Sequence, residues 1–180
     1  FVGRFSKVKG IETLVRAFNI IKNELGITNI RLVIMGVNFG YQNKMFELIK
    51  KLDLSEEIMV IKNPSRDDVI SAYGESEFLV VPSQWEMSPL VPLESFAFKR
   101  PVISTNSHGI PYTVENNKNG ILVEPDNPIQ LSNAIVKLLN NSELRKKLGL
   151  AGYNFVHKEC NCITMSKNTL KLYEDILQNK

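Results

Sequence analysis

Six short, mostly apolar runs with helix-length segments between them constrain this chain more than any other feature: Phe1 to Gly3, Arg31 to Gly36, Ile58 to Lys62, Phe78 to Pro82, Pro101 to Thr105 and Ile121 to Val123. Strands with one wet face alternate apolar and polar residues. Most of these runs are apolar at consecutive positions instead, as in parallel strands buried on both faces. The expectation is an α/β fold, a doubly wound Rossmann-like parallel sheet of about six strands followed by C-terminal helices.

The helix signals agree with that reading. Ile11, Leu14, Val15, Phe18 and Ile21 recur at helical spacing, and Gly26 stands beyond them as a stop. A second helix is expected over about 41–52. A third opens at Ser65 as its N-cap, with Asp67 and Asp68 in the first turn. Ser88, Pro89 and Pro92 mark the start of a fourth, because proline is tolerated where amides lack intrahelical partners. After Val123 only helices are expected, over 128–140, 142–155 and 163–177, packed on the sheet. The length suits one domain, read here as residues 1–180, and Phe1 to Gly3 has the character of a strand's end, so an upstream region is expected to be missing.

Composition narrows the partners. With 22 Lys plus Arg against 19 Asp plus Glu, the net charge of +3 carries no clustered basic patch, which argues against nucleic acid. The longest apolar stretches, such as Leu32 to Val37, fall far short of the roughly 20 residues that cross a bilayer, so membrane association is not expected through this domain. Cys160 and Cys162 are too few for a disulfide scaffold, and a reducing, cytoplasmic setting is the default. His157 beside them suggests a metal site, but a fourth ligand and paired spacing are missing, so no metal is expected. The glycine patterns of dinucleotide oxidoreductases and P-loop ATPases are absent as well.

In open parallel sheets ligands bind at the carboxyl ends of the strands, where helix N-termini favour anions. Arg4 follows the first run and Lys9-Gly10 precedes the first helix, so two cations and a row of amides can converge on a diphosphate; the alternative is a pair of solvated loop cations. Glu86 lies in a loop and Glu94 in the following helix, eight residues on. A carboxylate can accept from two neighbouring hydroxyls of a ribose or sugar ring, although Glu94 could equally face solvent. His108-Gly109 lies in the next loop, where a histidine either donates to a phosphate or sugar oxygen or serves the structure.

These residues together resemble the C-terminal domain of glycosyltransferase family 4, also called group 1, with the two-Rossmann GT-B architecture. The likeness runs through Val2-Gly3-Arg4 with Lys9-Gly10-Ile11, Pro82-Ser83, the Glu-x7-Glu pair of Glu86 and Glu94, Pro101 to Thr105, Gly109-Ile110-Pro111, and Asn119 to Pro125. The resemblance implies a retaining glycosyltransferase that moves a sugar from a nucleotide diphosphate sugar, of the GDP-mannose or UDP-hexose type, to an acceptor hydroxyl. This chain would be the donor half. A glycan, lipid or other acceptor would bind through the missing N-terminal domain, which would also make any peripheral membrane contact.

By the same resemblance Arg4 and Lys9 hold the donor diphosphate, Glu94 the ribose hydroxyls and Glu86 the transferred sugar. Amides of Ser88, Pro89, Leu90 and Val91 face sugar or phosphate, except that Pro89 has none to give. Gly36, Lys62 and Asn63 border the base. No cofactor beyond the donor is implied. The sequence departs from the family at Pro89, at His108-Gly109 where a Gly-Gly pair is usual, and at Tyr112 where an acidic residue is common. A sugar-nucleotide epimerase of the same architecture and a non-catalytic nucleotide-sugar-binding module are the alternatives.

Overall fold

A computed structural model describes residues 1–178; Asn179 and Lys180, the end of the expected 1–180 domain, lie outside the described residues. Five strands alternate with helices: α1 (Ile11–Asn19), β1 (Leu32–Gly36), α2 (Gln42–Lys51), β2 (Ile58–Lys62), α3 (Arg66–Glu75), β3 (Leu79–Val81), α4 (Val91–Ala97), β4 (Val102–Thr105) and β5 (Gly120–Val123). Three further helices complete the chain: α5 (Pro128–Leu139), α6 (Ser142–Glu159) and α7 (Cys162–Gln178). β1 pairs with β2, and β3 with β4 and β4 with β5, every pair parallel.

Period-two geometry explains why the strands read as unbroken apolar runs. Ile34, Val80, Ile103, Ile121 and Val123 join one buried cluster with Leu14 and Phe18 of α1 and Leu131 and Leu138 of α5. Their neighbours Met35, Leu79, Val81 and Val102 join a second cluster with Tyr73 of α3 and Phe96 of α4. Successive side chains of a strand point to opposite faces, and here both faces are covered by helices. That is the doubly wound arrangement.

Local signals also act as expected. Ser65 caps α3 reciprocally with Asp68, and Gly26 takes a left-handed φ of 69° after a π-helical stretch, Ile20–Glu24, that prolongs α1. Pro92 falls in the first turn of α4, although Leu90 rather than Ser88 precedes that helix.

Two expectations need correction. The first expected strand forms only isolated bridges, Val2 to Met35 and Phe5 to Asn38, so five strands stand where about six were anticipated. Residues 1–5 bond to β1 through Gly3 N to Met35 O (3.0 Å) and Phe5 N to Val37 O (2.7 Å), then turn away where the Ser6 amide donates to the Arg4 carbonyl (2.9 Å). The second correction concerns α7, which buries no residue and leaves Ile163, Met165, Leu170, Leu172, Tyr173, Ile176 and Leu177 more than half exposed. Asn161 precedes α7 and its side chain accepts from the Thr164 amide (2.9 Å); the main contacts of α7 are with α6, whereas α5 and α6 contact the sheet.

Close backbone approaches at Gly10 and Gly36 require glycine. A Cβ on Gly10, whose φ is 67°, would stand 1.8 Å from the Pro82 carbonyl oxygen, and one on Gly36 would stand 1.7 Å from the Gly3 oxygen. A cavity of about 600 Å³ opens at the opposite, amino ends of the strands, between Leu32 and Val33 of β1 and Leu79 and Val80 of β3. It is larger than the cavity described below, but the loops bearing the candidate residues lie at the carboxyl ends.

These contacts predict that Gly36→Ala costs about 3 kcal/mol or more, because backbone rather than a movable side chain blocks the methyl. Gly74→Ala meets nothing within 4 Å inside α3 and should be neutral or stabilising by up to about 1 kcal/mol. Urea unfolding of both variants checks the pair; equal stabilities would show that the Gly36 contact relaxes freely.

Candidate functional site

The loop from Arg4 to Gly10 meets the loop after β3 at the carboxyl end of the sheet. The seating of Gly10 on Pro82 brings them together, and the Gln84 amide donates to the Val8 carbonyl at 2.8 Å. Lys9 therefore reaches Glu86, 77 residues away, and the two side chains form an ion pair, each mostly buried. Burial first, then the Arg4 cation, pull the Lys9 ammonium below the usual lysine range. An ammonium so placed gains from any further negative charge.

Lys9 and Glu86 line a cavity of about 190 Å³ together with Ser88, Pro89, Leu90 and Val91 and the backbone end Phe1 to Gly3. The last four of those side chains lead into the N-terminus of α4, where amides lack intrahelical acceptors and the helix dipole is positive. Pro89 is buried and presents a ring where another residue would present an amide. Arg4 is exposed, and its guanidinium lies over the Phe39 ring, 5.0 Å from the centroid.

Glu94 does not line this cavity, and it is not a free surface carboxylate. Its Oε1 accepts from Arg66 Nη1 at 2.8 Å and its Oε2 from the Tyr73 hydroxyl at 2.9 Å. Neither partner was singled out from the sequence. Tyr73 is hidden there within the buried face of α3, spaced four residues from Val69 like any core residue.

The remaining expected residues form two borders. Gly36 and Lys62 are paired in register, and the Asn63 amide donates to the Gly36 carbonyl at 2.9 Å, so all three cluster at the ends of β1 and β2. Lys62 and Asn63 are exposed, and Asn63 takes a left-handed φ of 51°. On the other side, the Gly109 amide donates to the Glu86 carbonyl at 2.8 Å, and a Cβ on Gly109 would stand 1.6 Å from the Met87 oxygen. This glycine therefore fixes the Glu86 loop.

His108 occupies a left-handed φ of 47°, a region where glycine carries no steric cost. Its ring is held by Ser107 Oγ at 2.7 Å from Nδ1 and by the edge of Trp85, with ring centroids 5.9 Å apart. Both contacts tie it to the Glu86 loop, since Ser107 Oγ also donates to the Gln84 carbonyl. Tyr112 is almost fully exposed. Among the described residues no group of three or more His, Cys, Asp or Glu side chains is arranged to hold a metal ion, and Cys160 and Cys162 are free and exposed. No described helix is long and apolar enough to cross a membrane.

A lysine, a carboxylate paired with it and the residues leading into α4 around one small cavity suit a ligand that carries both phosphates and hydroxyls. Glycosyltransferase MJ1178 of Methanocaldococcus jannaschii is 36% identical over 158 residues, covering 88% of this chain and 42% of that protein. A glycosyltransferase structure from Rickettsia africae superposes with a TM-score of 0.84 at 28% identity, over 99% of this chain and 47% of the other. The fold, though at only 18% identity, is also that of Alr3699/HepE from Anabaena in complex with UDP, with a TM-score of 0.86 over 97% of this chain and 49% of that one. The chain thus spans somewhat less than half the length of the relatives it matches. Residues 1–155 match the family described as glycosyl transferases group 1, and the chain belongs to this family.

Proposed function

We propose that this chain supplies the donor site of a retaining glycosyltransferase, which transfers a sugar from a nucleotide diphosphate sugar to an acceptor hydroxyl. The observation that carries the reading is the convergence of Lys9, Glu86 and the N-terminus of α4 on one 190 Å³ cavity. A neighbour of the same fold that binds UDP supports a nucleotide diphosphate as the leaving group.

In this reading the Lys9–Glu86 ion pair is the resting state. Donor binding exchanges it: Lys9 turns to the diphosphate, and Glu86, relieved of its cation, accepts from hydroxyls of the transferred sugar. Arg4, Lys9 and the amides at the start of α4 then stabilise the charge that grows on the diphosphate as the glycosidic bond breaks. Glu94 holds the ribose, and Gly36, Lys62 and Asn63 border the base. The acceptor, a glycan or lipid of polysaccharide biosynthesis, binds against a second domain in the complete enzyme, and the donor is a GDP-mannose or UDP-hexose.

Titration calorimetry with GDP, UDP, their sugars and the bare nucleosides tests this. Arg4→Ala and Lys9→Ala should weaken nucleoside diphosphate binding by about 1.5 kcal/mol or more and leave the nucleoside almost untouched, as expected for charge-assisted bonds. Equal losses for both ligands would sink the assignment.

The two glutamates should separate. Glu86→Ala should spare or slightly tighten the bare diphosphate, because it frees Lys9, and should weaken the full donor by about 1.5 kcal/mol or more. Glu94→Ala should weaken both by a similar factor. Abolition of bare nucleotide binding by Glu86→Ala in a folded protein would reassign Glu86 to the nucleotide or to its loop.

A further inference from the structure

We propose that Tyr73 is a positioning residue that orients the Glu94 carboxylate toward the ribose diol of the donor. The proposal rests on the assignment of Glu94 to ribose made above, and it adds a residue that touches no ligand itself. Glu94 accepts from two side chains of opposite character. Arg66 reaches it from the surface, on a long side chain that is 64% exposed, and an ion pair in such a setting holds geometry weakly. Tyr73 is 2% exposed and has two side-chain torsions, both fixed by packing. Its ring stacks on Phe98, with centroids 5.9 Å apart and planes at 29°.

The helix that carries Tyr73 is secured at both ends. The Ser65–Asp68 capping box sets the start of α3. Near its end, Arg100 Nε donates to the Tyr73 carbonyl at 3.2 Å and Arg100 Nη2 to the Gly74 carbonyl, so a residue in the turn between α4 and β4 grips the backbone of Tyr73 itself. The hydroxyl thus arrives at Glu94 Oε2 from a rigid frame shared by α3 and α4. Burial first, and then the Glu94 charge, push the Tyr73 phenol far above the usual tyrosine range, so it stays protonated and able to donate at any working pH.

A carboxylate offers about four acceptor positions, of which Arg66 and Tyr73 take one each. Two remain, the number a pair of vicinal hydroxyls needs. With Tyr73 fixing one oxygen, the plane of the carboxylate is set before the ligand arrives, and little rotamer freedom is left to lose on binding.

The experiment compares UDP with 2′,3′-dideoxy-UDP, and GDP with its dideoxy counterpart, by titration of the wild-type chain and of Tyr73→Phe. For whichever base binds, the wild type should favour the ribonucleotide by about tenfold or more. Tyr73→Phe should cut that preference to about twofold or less while leaving dideoxynucleotide affinity unchanged. In a Glu94→Ala background the Tyr73→Phe change should have no further effect on the preference, since the coupling runs through that carboxylate.

An unchanged preference in Tyr73→Phe would overturn the proposal while leaving Glu94 on the ribose. A loss shared equally by both nucleotides would also overturn it, and would make Tyr73 a scaffold residue. No preference in the wild type would remove the ribose assignment of Glu94, and the proposal with it.

Discussion

The candidate site depends on one close approach, the seating of Gly10 on the carbonyl of Pro82. β1 pairs only with β2, and β3 only with β4 among the described strands, so no continuous ladder aligns the two groups. Their loops meet because the turn before α1 lies directly on the end of β3, at a distance that only a residue without a Cβ permits. The Val8–Gln84 backbone bond repeats the contact two residues to either side. Lys9 and Glu86 come from these two loops, and their encounter follows from the backbone contact rather than producing it.

The charges at the site are satisfied in pairs. Lys9 holds Glu86, while Arg66 and Tyr73 hold Glu94, and Arg4 rests on Phe39. Partly buried ions without partners would be expensive, and pairing offsets that cost. A ligand bearing both negative phosphates and hydroxyl donors can replace the Lys9–Glu86 pair by two new interactions at once. A purely anionic or purely neutral ligand could satisfy only one side of it.

Rigidity is unevenly distributed around the cavity. The Glu86 loop is clamped by Gly109 from one side and by Ser107 and His108 from another, and α3 and α4 are bridged by Arg100. Elsewhere large apolar side chains are exposed: Phe39, Trp85, Met87, Leu90 and Tyr112 on the loops, and the apolar content of α7. The chain accounts for less than half the length of these relatives.

The sequence by itself determined the α/β class, the order of strands and helices, the Ser65 cap, the loops on which Arg4, Lys9 and Glu86 sit, and the helix that carries Glu94. These features are written in local spacing: apolar residues three and four apart for helices, unbroken apolar runs for strands with two buried faces, glycine and proline at boundaries. Phe1 to Gly3 reads as a strand although it pairs only through an isolated bridge, because hydrophobicity does not reveal how many consecutive pairings a segment makes. The helical pattern of α7 likewise gave no sign that its apolar face would lie away from the sheet. Only the tertiary structure decided that Lys9 meets Glu86 across 77 residues, that Tyr73 meets Glu94 across 21, and that His108 stands in a left-handed conformation beside Trp85. Those pairings depend on which loops the packed sheet brings together, and no spacing within a loop encodes the partner that arrives from another.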